Sequence, residues 1–226
     1  MKAYIYLENG TYLEANSFGA EGTVVGEIVF NTSMTGYQEV MSDPSYAGQF
    51  VTFTMPEIGA VGVNEQDMES SKAHAKGMIV RKYQKRYSNF RAEGSLDEFL
   101  IKHNVIGICD IDTRFLTKMI RKEGAMMMIA STSISDKEEL KKILENSPRI
   151  EDVNYIDQVS TKKAYKHESS TYSYRKFEYD TPPSPQANIA VIDFGVKRNI
   201  LNELVSASMG VEVLPNSFSA DDLIER

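Results

Sequence analysis

The feature that most constrains this chain is a break in pattern between Asn154 and Gln186. Charges there are mixed, no helical or strand period survives, and the stretch ends in Thr181-Pro182-Pro183-Ser184-Pro185. Prolines so closely spaced cannot continue a helix or a central strand and favour a stiff, extended segment. The chain therefore reads as three parts: a domain over residues 1–153, a linker over 154–186, and a second domain beginning at 187 and running to 226. Tyr155, Tyr165, Tyr172, Tyr174, Phe177 and Tyr179 make the linker too aromatic for a solvated coil, so it is expected to dock on the protein.

After the break the pattern changes. Asn188 to Phe194 is an apolar run of the kind found in parallel strands covered on both faces. Gly195 supplies a turn, and 197–208 reads as a helix with Ile200, Leu201, Leu204 and Val205 on one side. Val211 to Leu214 follows Gly210 as a second strand, and Ser219 opens another helix. This βαβα order is how a doubly wound α/β domain begins. About 40 residues bury too little apolar surface to stand alone, so 187–226 reads as the truncated start of such a domain.

The first part is rich in strands. Ala3–Leu7 and Tyr12–Phe18 flank Asn9-Gly10, a strong hairpin signal because both residues tolerate positive φ. Further strands are expected at Glu27–Asn31, Gln49–Met55, Gly77–Lys82, Val105–Cys109 and Ala125–Ala130. Ser95 with Glu98 forms a capping box for a short helix, where hydroxyl and carboxylate each satisfy a free backbone N–H. Asp112 caps a helix over Thr113–Glu123 with Phe115, Leu116, Met119 and Ile120 on its apolar face and Gly124 as its stop. Ser135 and Glu138 suggest another capping box.

Composition then excludes several classes. Of 226 residues 42% are hydrophobic and 25% charged, which suffices for a core. A net charge of −7 argues against nucleic-acid binding. No apolar run approaches the length of a membrane span, and the opening residues turn polar at Glu8, too soon for a signal-peptide core. One Cys precludes an internal disulfide framework and fits a reducing, cytoplasmic setting.

Between the strands at Glu27–Asn31 and Gln49–Met55 lies Asn31 to Gln49, rich in Ser, Thr, Gly, Tyr and Asp and longer than a plain connection needs. Ser45, in Asp43-Pro44-Ser45, fits a turn and a binding contact equally well. Cys109 is the obvious nucleophile candidate. Cys is among the most buried residue types, however, and Asp110 beside it opposes a thiolate. His103 can serve the C-terminal carbonyls of its helix, His74 sits in a polar loop beside Glu69, Ser70 and Ser71, and His167 falls in the linker. Asp110, Asp112 and Arg114 read as a cap with an ion pair. Lys197 and Arg198 oppose the dipole of the helix they begin, as groups facing a partner or an anion would.

The segment from Gly26 to Asn64, GEIVFNTSMTGYQEVMSDPSYAGQFVTFTMPEIGAVGVN, closely resembles the N-terminal domain of the carbamoyl phosphate synthetase small subunit. So do Glu69-Ser70-Ser71, Ser88-Asn89-Phe90-Arg91, Asp110-Ile111-Asp112-Thr113-Arg114 and Arg121 to Met126. Ala190 to Leu201 resembles the first strand and helix of that family's class I glutamine amidotransferase domain. The resemblance implies a three-layer, swivelling β/β/α domain followed by an α/β glutaminase domain. It implies hydrolysis of glutamine and delivery of ammonia through a tunnel to a large subunit. The large subunit uses ATP and Mg, with bicarbonate, to make carbamoyl phosphate for arginine and pyrimidine synthesis. This chain is expected to bind no cofactor itself. The family's Gly-Ile-Cys-Leu-Gly-His elbow, its later His and Glu, and its Asn-Gly-Pro-Gly-Asp loop do not occur in these residues. Cys109 follows Gly-Ile but lacks the Leu-Gly-His. No catalytic residue is therefore assigned, the chain alone is expected to be inactive, and the resemblance transfers one glutamine-binding residue, Ser45. An alternative is a non-catalytic module that binds the large subunit.

Overall fold

The computed structural model describes residues 1–224, with only the backbone of Asp222. The chain divides into two compact units, Met1–Val153 and Asn154–Arg226.

The first unit is built on β1 (Lys2–Leu7), β2 (Tyr12–Gly19), β3 (Thr23–Asn31), β4 (Gln49–Phe53), β5 (Gly77–Ile79), β6 (Ile106–Cys109) and β7 (Met126–Ser131). They close into one barrel in the order β1-β2-β6-β5-β4-β3-β7. The run from β3 through β4 and β5 to β6 is parallel and the remaining pairs are antiparallel.

Side chains alternate across the sheet with the two-residue period of a strand. Ile5, Leu7, Phe50, Ile79, Ile106, Ile108, Met128 and Ala130 share one cluster, with Leu116, Met119 and Ile120 of α3 (Thr113–Glu123). The intervening residues face outward. Val51, Phe53 and Met78 pack with Leu96, Phe99 and Leu100 of α2 (Leu96–Lys102). Tyr6, Met127 and Ile129 pack with Leu140 and Leu144 of α4 (Lys137–Glu145). On β6, Gly107 makes room for an aromatic: a Cβ there would lie 2.7 Å from three ring carbons of Phe18. That ring stacks on Tyr83 at 4.2 Å and 7°. Tyr83 belongs to a short parallel pair, Glu57-Ile58 with Lys82-Tyr83.

Local signals behave unevenly. The Ser95–Glu98 capping box forms, and Asp112 caps α3 through the Phe115 N–H at 2.9 Å. Phe115 itself is exposed, so the buried face of α3 is narrower than its spacing predicts. α4 is capped by Asp136, which accepts from the Glu139 N–H, so the Ser135 capping box does not form. At the β1–β2 turn only Gly10 takes positive φ; Asn9 instead accepts the Thr11 N–H and donates to Glu123. β3 begins at Thr23 and runs through Gly26, ahead of the start expected at Glu27. A Cβ on Gly26 would sit 2.5 Å from the Gly48 carbonyl, so this glycine permits a close backbone approach within the sheet.

The second unit has a three-stranded sheet in which β8 (Tyr165–His167) lies antiparallel to β10 (Met209–Pro215), and β10 parallel to β9 (Ala187–Asp193). The stretch expected as a linker thus supplies a strand, and also a two-stranded pair, Tyr172-Ser173 with Glu178-Tyr179. The order after residue 186 is β9, α6 (Arg198–Ser206), β10 and α7 (Ala220–Ile224), the βαβα read from the sequence. A four-residue α5 (Ile156–Val159) precedes them. Leu201 and Val205 pack on Val211 and Val213. β9 is not covered on both faces as its apolar run suggested. It is an edge strand among the described residues, with Ala187, Asn188 and Ala190 exposed. An open groove of about 750 Å3 runs along it, lined by His167, Ile189 and Val211 among others.

Candidate functional site

Because β3 and β4 are parallel neighbours, the chain must cross over between them, and a crossover needs a dozen residues or more. That topology accounts for the length of the connection from Asn31 to Gln49. It contains α1 (Tyr37–Ser42), entered through Gly36 at φ 82, and a single 3-10 turn, Pro44–Tyr46.

Buried polar contacts fix α1. The Tyr37 hydroxyl donates to the Gly62 carbonyl at 2.5 Å, and burial raises its pKa far above the usual tyrosine range. Gln38 pairs with both backbone groups of one residue, Asn64. Its Nε2 donates to the Asn64 carbonyl at 2.6 Å and its Oε1 accepts the Asn64 N–H at 2.9 Å. Asn64 in turn donates to Asp67 at 2.7 Å, and Asp67 pairs with Arg91 at 2.6 Å, both largely shielded from solvent. At the other end of α1, Ser42 Oγ accepts the Glu69 N–H at 2.9 Å, and Ser70 Oγ donates to the Ser42 carbonyl at 2.7 Å. Glu39 is held above its ordinary pKa, chiefly by burial and then by the neighbouring charges of Asp67 and Glu69.

This frame presents Ser45. Asp43, itself buried, accepts the Ser45 N–H at 2.9 Å, and Pro44 sets the first residue of the turn. On the far side Asn31 Nδ2 donates to the Tyr46 hydroxyl at 3.0 Å. Ser45 is exposed, and its hydroxyl makes no hydrogen bond among the described residues. Both readings of Asp43-Pro44-Ser45 thus have a structural counterpart: the backbone forms a turn, and the hydroxyl faces solvent.

The other candidates lie apart from this turn in the sequence and have local roles. Cys109 is buried, its Sγ 3.5 Å from Asp110, and burial with the Asp110 charge pushes its pKa up to about 12. Asp110 holds φ 61 and accepts from Asn16 at 2.8 Å. The ion pair expected for Arg114 with Asp110 or Asp112 is absent among the described residues, since both carboxylates are turned to other donors. His103 does not serve the helix carbonyls: its Nδ1 accepts the Ala73 N–H at 3.4 Å and its ring lies against Phe99. Burial then lowers its pKa. His167 pairs with Asn202 at 2.8 Å. Asp193 is buried and accepts the Gly195 and Val196 N–H groups, so its carboxylate closes the turn in which Gly195, the expected turn residue, takes φ 99. Lys197 is the N-cap residue of α6.

The described residues thus define a two-unit mixed α/β chain: a closed sheet with a braced, solvent-facing turn, then a parallel β-α-β unit. Residues 5–130 match the family model for the carbamoyl-phosphate synthase small chain, CPSase domain, and the chain belongs to that family. It is 55% identical over 225 residues to the carbamoyl phosphate synthase small chain of Helicobacter hepaticus, an alignment covering 100% of this chain and 60% of that one. It is 52% identical to the protein of the same name from Campylobacter jejuni, over 99% of this chain and 60% of the relative. For the Aquifex aeolicus small chain the identity is 46%, with 99% and 60% covered. The chain spans about 60% of the length of these curated relatives.

Proposed function

We propose that the chain acts as the small chain of a glutamine-dependent carbamoyl phosphate synthase, a ligase with amidotransferase activity, and that Ser45 contributes one contact to bound glutamine. In this reading the first unit is the family's swivelling β/β/α domain, and residues 187–226 are the start of its amidotransferase domain. Ammonia released from glutamine passes to a large chain, which binds the ATP and Mg and makes carbamoyl phosphate for arginine and pyrimidine synthesis in the cytoplasm. One observation carries the assignment of Ser45: a hydroxyl facing solvent on a turn whose backbone is already tied down. A contact held this way costs little ordering entropy when substrate arrives.

Glutamine hydrolysis needs an activated nucleophile with a base in reach. Cys109 is buried beside a carboxylate and the Gly-Ile-Cys-Leu-Gly-His elbow is not among these residues, so the 226-residue chain by itself releases no ammonia from glutamine. Catalytic ammonia release by the purified chain, alone or with a large chain, would sink this statement. The Ser45 role is tested in a chain completed with the remaining part of the Helicobacter hepaticus relative. Ser45→Ala should raise the glutamine KM roughly three- to tenfold while kcat changes less, the signature of lost uniform binding. Unchanged kinetics would return Ser45 to a turn residue. A second reading is a non-catalytic module that binds the large chain. It is separated from the first by whether the completed chain hydrolyses glutamine.

A further inference from the structure

Between Arg81 and Ala92 the sequence is RKYQKRYSNFRA, with Arg81, Lys82, Lys85, Arg86 and Arg91 and no acidic residue, in a chain of net charge −7. A basic island in an acidic protein is not a solubility device, since net charge of either sign serves that purpose. The charges are available: Arg81, Lys85 and Arg86 are exposed, and none makes an ion pair within 4 Å among the described residues. Lys82 is spoken for by Glu57 at 3.6 Å, and Arg91 by Asp67.

Apolar side chains are exposed on the same loop pair. Phe90 is 81% exposed, Val61 52% and Tyr87 41%. The two loops are bound to each other. Glu57-Ile58 pairs with Lys82-Tyr83, the Ser88 N–H donates to the Ala60 carbonyl at 2.9 Å, the Val63 N–H donates to the Gly94 carbonyl at 3.0 Å, and the Glu93 N–H donates to the Val63 carbonyl at 2.8 Å. Gly62 packs so closely that a Cβ on it would lie 2.7 Å from the Ala92 Cβ and 3.1 Å from the Tyr87 ring. Phe90 sits in a turn closed by the Ala92 N–H and the Asn89 carbonyl at 3.0 Å. The next residue, Arg91, is anchored in the Asn64–Asp67 network that also braces α1. Exposed aromatics on braced backbone are what interface hot spots require, because burying them costs no reordering of the chain.

We infer that this face, Val61 with Arg81 to Phe90, docks the large chain of the synthase through an acidic surface with an apolar centre. The inference rests on the functional reading above and adds the place and chemistry of contact. A protein partner suits the patch better than nucleic acid. Its apolar groups come from two separate loops, and the acidic remainder of the chain would repel a long polyanion that tracked past the patch.

The test uses the purified 226-residue chain and the large chain of the same organism, with affinity measured by calorimetry at low and at physiological ionic strength. The triple variant R81E/K85E/R86E should weaken binding about tenfold or more at low salt, and wild-type affinity should fall as salt rises. Phe90→Ala should weaken it about tenfold with little change in salt dependence. All these positions are exposed, and matching thermal midpoints would show that the variants fold. Wild-type binding that both variants retain overturns this inference and leaves the functional reading standing. No wild-type binding at all overturns both. Patch-dependent binding of a labelled single-stranded oligonucleotide, or patch-dependent dimerisation in sedimentation without large-chain binding, also overturns it.

Discussion

At the scale of single residues, the structure separates groups that look alike in the sequence. Cys109 and Ser45 are both small nucleophile types at the ends of strands or turns, yet one is buried beside a carboxylate and the other faces solvent. With its pKa near 12, Cys109 should react with a disulfide reagent at pH 8 at least about a hundredfold more slowly in the native protein than in urea, because the thiolate is the reacting species. Equal rates would contradict the burial. The same shift has a sign for stability. Between the unfolded thiol pKa, near 8.5, and about 12 the folded state keeps a proton that the unfolded state loses, so stability falls as pH rises across that window. Cys109→Ala should flatten that alkaline loss in urea titrations at pH 8 and 10. The sequence already argued against a reactive Cys109 through its neighbour Asp110. It gave no comparable hint of Asp193, because a carboxylate that accepts N–H groups two and three residues on reads like any strand-terminal acid. The role of His103 also escaped, since its partner Ala73 lies on a distant loop.

At the scale of elements, strands and helices were legible wherever the signal was local. The Ser95–Glu98 and Asp112 caps and the alternation within β1, β4 and β7 needed only near neighbours. Ser95→Ala should therefore cost about 1 kcal/mol in chemical denaturation, the usual price of a lost N-cap. What local signals could not supply was the bracing of α1, since Gln38 and Asn64 meet only in three dimensions. Gln38→Ala leaves the buried N–H and carbonyl of Asn64 unpaired and should destabilise the first unit by about 3 kcal/mol. Gln38→Glu tests the hydrogen-bond reading, because it keeps the shape and replaces the donor with an oxygen facing a carbonyl. A loss below about 0.5 kcal/mol for both would mean that water serves Asn64 equally well. Gly107→Ala should cost about 1–3 kcal/mol as its methyl is driven into the Phe18 ring, and Phe18→Leu should relieve part of that cost.

At the scale of the molecule, the two units differ in how completely their backbones are satisfied. The first closes its sheet, and closure removes strand edges altogether. The second leaves β9 at an edge over a small core. Residues 1–153 expressed alone should unfold cooperatively, whereas 154–226 alone should show no sharp transition in circular dichroism. A sharp transition in the second fragment would show that its core is sufficient. The sequence conveyed the change of pattern near residue 186 but not the closure, because no local rule pairs Ile5 with Ala130 or Thr23 with Ser131. That pairing has a consequence in time. β1 has β7 as one of its two neighbours, and β3 has the same one. Neither ladder can form until residues past Ser131 have emerged. In the interval the hairpin of β1 and β2 and the strand β3 are exposed to any chain with a free edge. Contacts so distant in sequence are slow to form. The nascent protein is therefore most in need of a chaperone before β7 arrives, and synthesis slowed just ahead of Met126 should raise its aggregation more than the same pause placed after Glu145.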